Sequence, residues 1–166
     1  MSKYILLALI GLTGVLAQQA NPCPSSDWVY LSFFNKCYKF VKDTTYPTWT
    51  VAQAACKSAN SNANLVTIHS FGENTLVAGY AIELLKTTET SDCPDGYCCA
   101  WIGLQRTSGF NQGWVDATPM NFTFYEYNQP SFKYDGTSMM IGPAFQNRWS
   151  NGFTEKCVNY VCQLEL

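Results

Sequence analysis

Eight cysteines, none earlier than Cys23, constrain this chain more than any other feature. An even set downstream of an export signal reads as a disulfide framework, because thiols in an oxidising compartment pair and so tie a small domain together from several sides. The signal is at the start: Lys3 gives a positive beginning, Ile5 to Leu16 an apolar stretch, and Val15-Leu16-Ala17 a small-residue ending suited to cleavage. About a dozen apolar residues are too few for a bilayer core of ~30 Å, and no second apolar stretch follows. Residues 1–17 are therefore expected to be a removed signal peptide, and 18–166 one secreted, extracellular domain without membrane contact. Zinc is a competing use of the cysteines, but Cys93-x4-Cys98-Cys99 has no common zinc spacing.

Without Lys3 the chain carries 9 basic residues against 12 acidic ones, a net charge of −3. Nucleic acid calls for a basic face, so that partner class is excluded. An aromatic content of 15% against 13% charged residues describes a packed globule and not a disordered tail.

Trp101-Ile102-Gly103-Leu104 fits a central strand buried on both faces, the glycine allowing another backbone to approach closely. Upstream, Trp28-Val29-Tyr30 and Cys37-Tyr38-Lys39-Phe40 alternate like the arms of a hairpin turning at Asn35, which Cys23 and Cys37 would close. A helix follows Pro47, capped by Thr48, with Trp49, Ala52, Cys56 and Ala59 on one face. Asn64 to Ile68 reads as a short strand. Ser70-Phe71-Gly72-Glu73 is a capping box opening a second helix whose apolar stripe is Leu76, Val77, Tyr80, Ala81, Leu84 and Leu85, ending near Lys86.

Thr87 to Asp92 is a polar connection, and Cys93-Pro94-Asp95-Gly96 has the residues of a tight turn. Gly113-Trp114-Val115-Asp116 is expected as a strand ended by Pro119, and Met139 to Ile141, Arg148 to Ser150 and Asn159 to Leu164 as three more. Asn121 to Asn147 shows no clean period; a loop of this length rich in aromatics is expected to be functional. No internal repeat or linker is present.

Taken together, Cys23-Pro24 with Trp28, Cys37-Tyr38, Trp49-x-x-Ala52-x-x-x-Cys56, Leu65-Val66 before Ser70-x-x-Glu73-Asn74, Trp101-Ile102-Gly103-Leu104, Gly113-Trp114-x-Asp116 and Tyr160-Val161-Cys162 resemble the C-type lectin-like domain. The resemblance implies an α+β fold of two helices and two small antiparallel sheets, stapled by disulfides, with adjacent termini and a ligand-binding long loop. It also implies a Cys56–Cys162 bridge. The family's second bridge is missing, its positions reading Thr137 and Thr154, with Cys157 three residues late. Cys93, Cys98, Cys99 and Cys157 are left to pair among themselves; a bond between neighbours being strained, Cys93 is expected with one of Cys98 and Cys99, and Cys157 with the other.

Sugar-binding members resemble one another in a Glu-Pro-Asn or Gln-Pro-Asp triplet, an acidic residue after it, and an Asn-Asp pair behind a Trp. Here those positions read Gln129-Pro130-Ser131, Asp135, and Ser150-Asn151 behind Trp149. Calcium takes six to eight oxygens and its affinity follows their charge, so a site at Gln129, Ser131, Asp135 and Asn151 is degenerate, and neither calcium nor another cofactor is expected.

The function expected is therefore a secreted recognition module without chemistry. In one form it binds glycans without calcium, stacking a sugar ring on Tyr125, Tyr127, Phe132 or Tyr134 while Asn128, Gln129 and Lys133 bond hydroxyls, with Ser131, Asp135, Ser150 and Asn151 completing the site. In the other the same loop binds an extracellular protein. A defence or structural protein is a further alternative, which the mild acidity does not favour. Enzymatic activity is not expected: His69 is the one histidine and reads as a surface or capping residue, Asp116 as a turn carboxylate, and no Gly-x-Ser-x-Gly element is present. Asn121-Phe122-Thr123 is an acceptor for N-linked glycan.

Overall fold

The computed structural model describes residues 21–85, 98–141, 146–153 and 155–166. The expected signal segment 1–17, the connection and turn at 87–96 with Cys93, and Thr154 lie outside these residues. The elements in chain order are β1 Val29–Leu31, β2 Lys36–Lys42, α1 Trp49–Ala59, β3 Asn64–Leu65, α2 Phe71–Leu85, β4 Cys99–Ser108, β5 Asn111–Trp114, β6 Gly136–Met140, β7 Trp149–Ser150 and β8 Asn159–Glu165.

The strands run in the order β1-β2-β8-β4-β6-β7, with β3 against β8 and β5 against β4. Two antiparallel ladders are recognisable, one around β8 and one around β4. They are not separate sheets, because Ala100 and Trp101 pair in parallel with Asn159 and Tyr160 and join them into one. Lys36 lies opposite Glu165, so the N-terminal hairpin rests along the last strand. The hairpin turns at Asn35, whose φ of 53° is one that asparagine tolerates well.

β4 alternates as a strand buried on both faces must. Ala100, Ile102 and Leu104 enter a core shared with α2, while Cys99 and Trp101 enter a second core shared with α1. Between them Gly103 donates its N–H to the Val66 carbonyl at 2.7 Å, and a Cβ there would stand 2.5 Å from the Leu65 carbonyl oxygen. Only glycine fits that crossing.

Cys23–Cys37 closes the hairpin, Cys56–Cys162 ties α1 to β8, and Cys99–Cys157 ties β4 to the approach to β8. Cys98 is disulfide-bonded as well. Thr137, at one position of the missing family bridge, is buried in β6.

Several local expectations are corrected. Thr48 occupies the N-cap of α1 but its side chain makes no capping bond, and Ala59 is exposed at the helix end. On α2 Leu76 and Leu84 are 42% and 51% exposed, and Asn74 and Ala78 face inward with Val77, Ala81 and Leu85. The phase is set by polar anchors: Glu73 Oε1 accepts from Lys36 Nζ at 3.1 Å and Tyr38 Oη at 2.8 Å, and Asn74 Oδ1 accepts from the Trp149 indole. Ser70 Oγ accepts the Glu73 N–H at 3.1 Å, and Glu73 Oε2 reaches back to the His69 N–H at 2.9 Å, so the capping box forms one residue wider than the simplest pattern.

β5 begins at Asn111 and ends at Trp114, because Asp116 bends the chain by accepting the Thr118 N–H at 3.0 Å while Ala117 takes a positive φ of 60°. β6 begins three residues before Met139, at Gly136, so the stretch from Asn121 to Asn147 is not one continuous loop. β3 covers only Asn64 and Leu65 of the five residues expected.

Candidate functional site

Trp149 fixes the base of the loop between β5 and β6. Its indole is fully buried, with the rings of Trp114, Phe122 and Tyr125 set edge-on at 5.6, 5.5 and 5.9 Å. Its backbone N–H donates to the Phe124 carbonyl at 2.7 Å, and its carbonyl accepts the Glu126 N–H at 2.9 Å. The segment 122–126 is thereby strapped along β7, and the next residues are carried outward.

Beyond that strap the chain turns sharply. Asn128 and Phe132 adopt positive φ values of 59° and 56°, and the Gln129–Pro130 peptide is cis. Asn151 Oδ1 accepts the N–H groups of Ser131 at 2.9 Å and Phe132 at 3.1 Å, and the Asn151 carbonyl accepts the Tyr134 N–H at 2.9 Å. Gln129 Oε1 accepts the N–H groups of Ser131 at 3.1 Å and Asn151 at 3.3 Å. A Cβ on Gly152 would meet Ser131 Oγ and the Gln129 amide, so the two segments pass close together and a larger residue there would have to displace those side chains.

These bonds decide what the site can hold. A divalent ion needs free oxygens, preferably carboxylates. Both amide oxygens here are already accepting from the main chain, and the donors fix their orientation. Asn151 is 1% exposed and its Nδ2 has no hydrogen-bond partner among the described residues, so the group turned away from the loop is an N–H donor and not a ligand oxygen. Asp135 is the one carboxylate of the set, and its Oδ1 lies 2.5 Å from Arg106 Nη2. The residues at this position do not fit calcium.

The nine expected site residues separate into two groups. Ser150 and Asn151 are buried, Tyr125 is half-buried against Trp149 with its hydroxyl bonded to Gln112, and Gln129 is committed through its oxygen. Burial pushes the Tyr125 phenol up to about 12, outweighing the Gln112 and Thr137 contacts that draw it down. These four build the loop through buried or internally bonded groups. Tyr127, Asn128, Ser131, Lys133 and Asp135 are exposed, with Lys133 Nζ 4.9 Å from the centre of the Tyr134 ring.

Next to Asp135 a cleft of about 190 Å³ opens between the start of α1 and the loop. Its walls include Trp49, Trp101, Tyr134, Asp135 and Glu155, with hydroxyls from Thr48 and Thr50. The Trp49 and Trp101 indole N–H groups are spent on the Ile102 and Pro47 carbonyls, at 2.7 and 2.8 Å, which fixes both rings, Trp101 buried beneath the cleft and Trp49 half-buried at its wall.

Sequence reading missed Arg106, Phe110 and the cleft's Glu155. Arg106 carried a signal, as the first charged residue leaving the central strand. Phe110 is 81% exposed at the β4–β5 turn and packs edge-on against Phe132 at 5.3 Å, an association that sequence does not advertise.

His69 and Asp116 belong to a bracing network. Thr118 Oγ1 donates to Asp116 Oδ1 at 2.6 Å and lies 3.1 Å from His69 Nε2, whose Nδ1 faces Asn121 Oδ1 at 3.0 Å. The threonine proton is given to the carboxylate and not to the imidazole, so the Thr118 hydroxyl is not activated by His69. Among the described residues no helix is long and apolar enough to cross a membrane.

Residues 45–164 match the family model described as Lectin C-type domain. Snaclec alboaggregin-B subunit alpha from Trimeresurus albolabris is 31% identical over 162 residues, covering 96% of this chain and 90% of that protein. A C-type lectin mannose-binding isoform from Oxyuranus scutellatus is 29% identical, covering 98% of each. Human lithostathine shares the fold with a TM-score of 0.69 at 22% identity, over 87% of this chain and all of that one. The strand crossing at Gly103, the bridge from α1 to β8 and these matches lead to one conclusion: the chain belongs to the C-type lectin domain family.

Proposed function

We propose that this is a secreted recognition module, its first 17 residues a cleaved signal, that binds carbohydrate without calcium at the face around Asp135. The observation that carries the reading is the cleft beside the loop, where aromatic walls stand next to carboxylates and hydroxyls. A sugar ring needs that pairing: an apolar face for its C–H groups and planar polar groups for its hydroxyls. Tyr134 and Trp49 supply the face; Glu155, Thr48 and Thr50 supply polar partners, and Asn128, Ser131 and Lys133 extend them outward. A relative described as mannose-binding supports the ligand class. No cofactor takes part, and Asn121, exposed in its sequon, is the expected glycan attachment point.

A glycan array read in calcium and again in chelator tests this directly. Equal binding under both conditions is expected; sugar binding abolished by chelation would overturn the metal-free reading, and a blank array the carbohydrate reading. A second reading rests on the exposed Phe110, which packs on the half-buried Phe132; neither phenyl ring has a polar handle for hydroxyls. That pair, with Tyr127 at 83% exposure, favours an extracellular protein partner, in line with a relative described as a subunit.

A further inference from the structure

A loop whose amide oxygens are committed internally still needs something to hold its outer arm, and three contacts converge on Arg106. Its backbone N–H donates to the Asp135 carbonyl at 2.8 Å. Its Nη2 lies 2.5 Å from Asp135 Oδ1, and its Nη1 donates to the Phe132 carbonyl at 3.2 Å. One side chain near the end of β4, a strand paired on both sides, thus gathers a carboxylate and a main-chain carbonyl from two points of the loop. Those are the two kinds of oxygen that a hard divalent cation collects. A guanidinium can collect them too, because its planar fork carries five donors and a charge that is never lost.

We propose that Arg106 is a built-in cation that orders the loop from Phe132 to Asp135, so that the recognition face is assembled by the chain's own charge and is indifferent to added calcium or chelator. The other nearby cation does not share this role, since Lys133 is exposed and lies over the Tyr134 ring. Asp135 thereby acquires a role distinct from ligand contact, as the anchor that Arg106 holds. The proposal deepens the recognition reading by naming what regulates the site, yet it concerns the unliganded loop and can be tested apart from any ligand.

Amide hydrogen exchange on the intact, oxidised chain without ligand is the measurement. In wild type, the Phe132 and Tyr134 amides are expected to exchange at the same rate in calcium and in chelator. In R106Q and D135N the same amides should exchange roughly fivefold faster while Trp101 to Leu104 hold their protection, with R106K falling between. D135N removes the anchor at an exposed position and so keeps the test sound if R106Q folds poorly. Loop amides unchanged in D135N, or wild-type loop amides slowed by calcium, would overturn the proposal. A blank glycan array would leave it standing and remove only the carbohydrate reading.

Discussion

The indole N–H of Trp149 donates to Oδ1 of Asn74 at 2.7 Å, with both side chains buried, and this bond joins the second helix to the strand under the recognition loop. Asn74 also donates through Nδ2 to the Asn147 carbonyl at 3.3 Å, so one amide fixes the ring and the chain entering its strand. Replacing it by alanine leaves a buried indole donor unpaired. N74A is expected to lose about 1–3 kcal/mol in urea unfolding, with the Trp149 environment altered in near-ultraviolet dichroism. Wild-type stability in this variant would mean that the ring stack alone holds the loop base.

Glu73 sits 2% exposed at the start of α2 and faces Lys36 Nζ at 3.1 Å and Tyr38 Oη at 2.8 Å. Burial pushes the Tyr38 phenol up, and the neighbouring carboxylate pushes it further in the same direction, so the hydroxyl stays a donor. E73A leaves the Lys36 ammonium only the largely exposed Glu165 carboxylate, 3.6 Å away, and should cost about 1–3 kcal/mol, whereas K36M with E73Q removes both buried charges and should recover most of that loss. Equal losses in the single and double variants would assign the stability to packing and not to charge.

Glu73 and Asn74 also show where sequence reading stops. Gly103 announces its role, because a glycine inside an apolar run admits few physical explanations; an even set of cysteines announces bonding, but the partnership of Cys56 with Cys162 is implied only by the family resemblance. The phase of α2 is not announced: Glu73 and Asn74 look like surface residues until their partners on β2 and β7 are known, and those partners lie 35 to 75 residues away. The loop hides its chemistry differently. The family resemblance brings Gln129, Ser131 and Asn151 to one place, but whether an amide presents oxygen or N–H depends on main-chain donors that composition does not display. Arg106 and Asp135, 29 positions apart with no period between them, meet only because β4 and β6 pair.

Asp116 gives the fold a dependence on acid. Burial alone would raise its carboxyl, but the Thr118 hydroxyl and N–H and the Thr67 hydroxyl outweigh it and hold the group below the usual range. A depressed folded value stabilises the protein wherever the carboxylate is ionised. The contribution is complete above the unfolded value of 3.8 and is lost as pH falls from there through the lower folded value. T118V should raise the Asp116 pKa in carbon-detected NMR titration and start acid unfolding at higher pH. An unmoved titration would place the cause outside Thr118.

The Cys56–Cys162 bond spans 106 residues and connects α1 to the strand at the middle of the sheet. In the chain-entropy model a closure of that length is worth about 4.7 kcal/mol. C56A with C162A, whose side chains sit among Ala52, Leu65 and Tyr160, is expected to lower the guanidinium midpoint accordingly and to fold marginally if at all at 37 °C. A loss under about 1 kcal/mol would show that the unfolded chain is already restricted by its other bonds.

The two recognition readings place their decisive aromatics on different parts of the surface, and substitution separates them. Tyr134 and Glu155 line the cleft, whereas Tyr127 is 83% exposed at the turn and Phe110 projects from the β4–β5 corner. None of these rings supports the core as Tyr125 does through Trp149 and Gln112. If a sugar occupies the cleft, Y134A should weaken glycan binding at least about tenfold, the loss of one stacked ring and its polar neighbourhood, while Y127A and F110A leave it unchanged. If a protein partner covers the outer face, the pattern inverts, because an exposed aromatic anchor is the kind of residue whose truncation dominates an interface. Y125F serves as the internal control: it removes the bond to Gln112, lowers stability by about 1 kcal/mol and leaves either ligand's affinity intact. A loss of binding in Y125F matching that in Y134A would mean that the Tyr125–Gln112 bond orders the loop for recognition and that Y134A acts through that order and not through a contact surface.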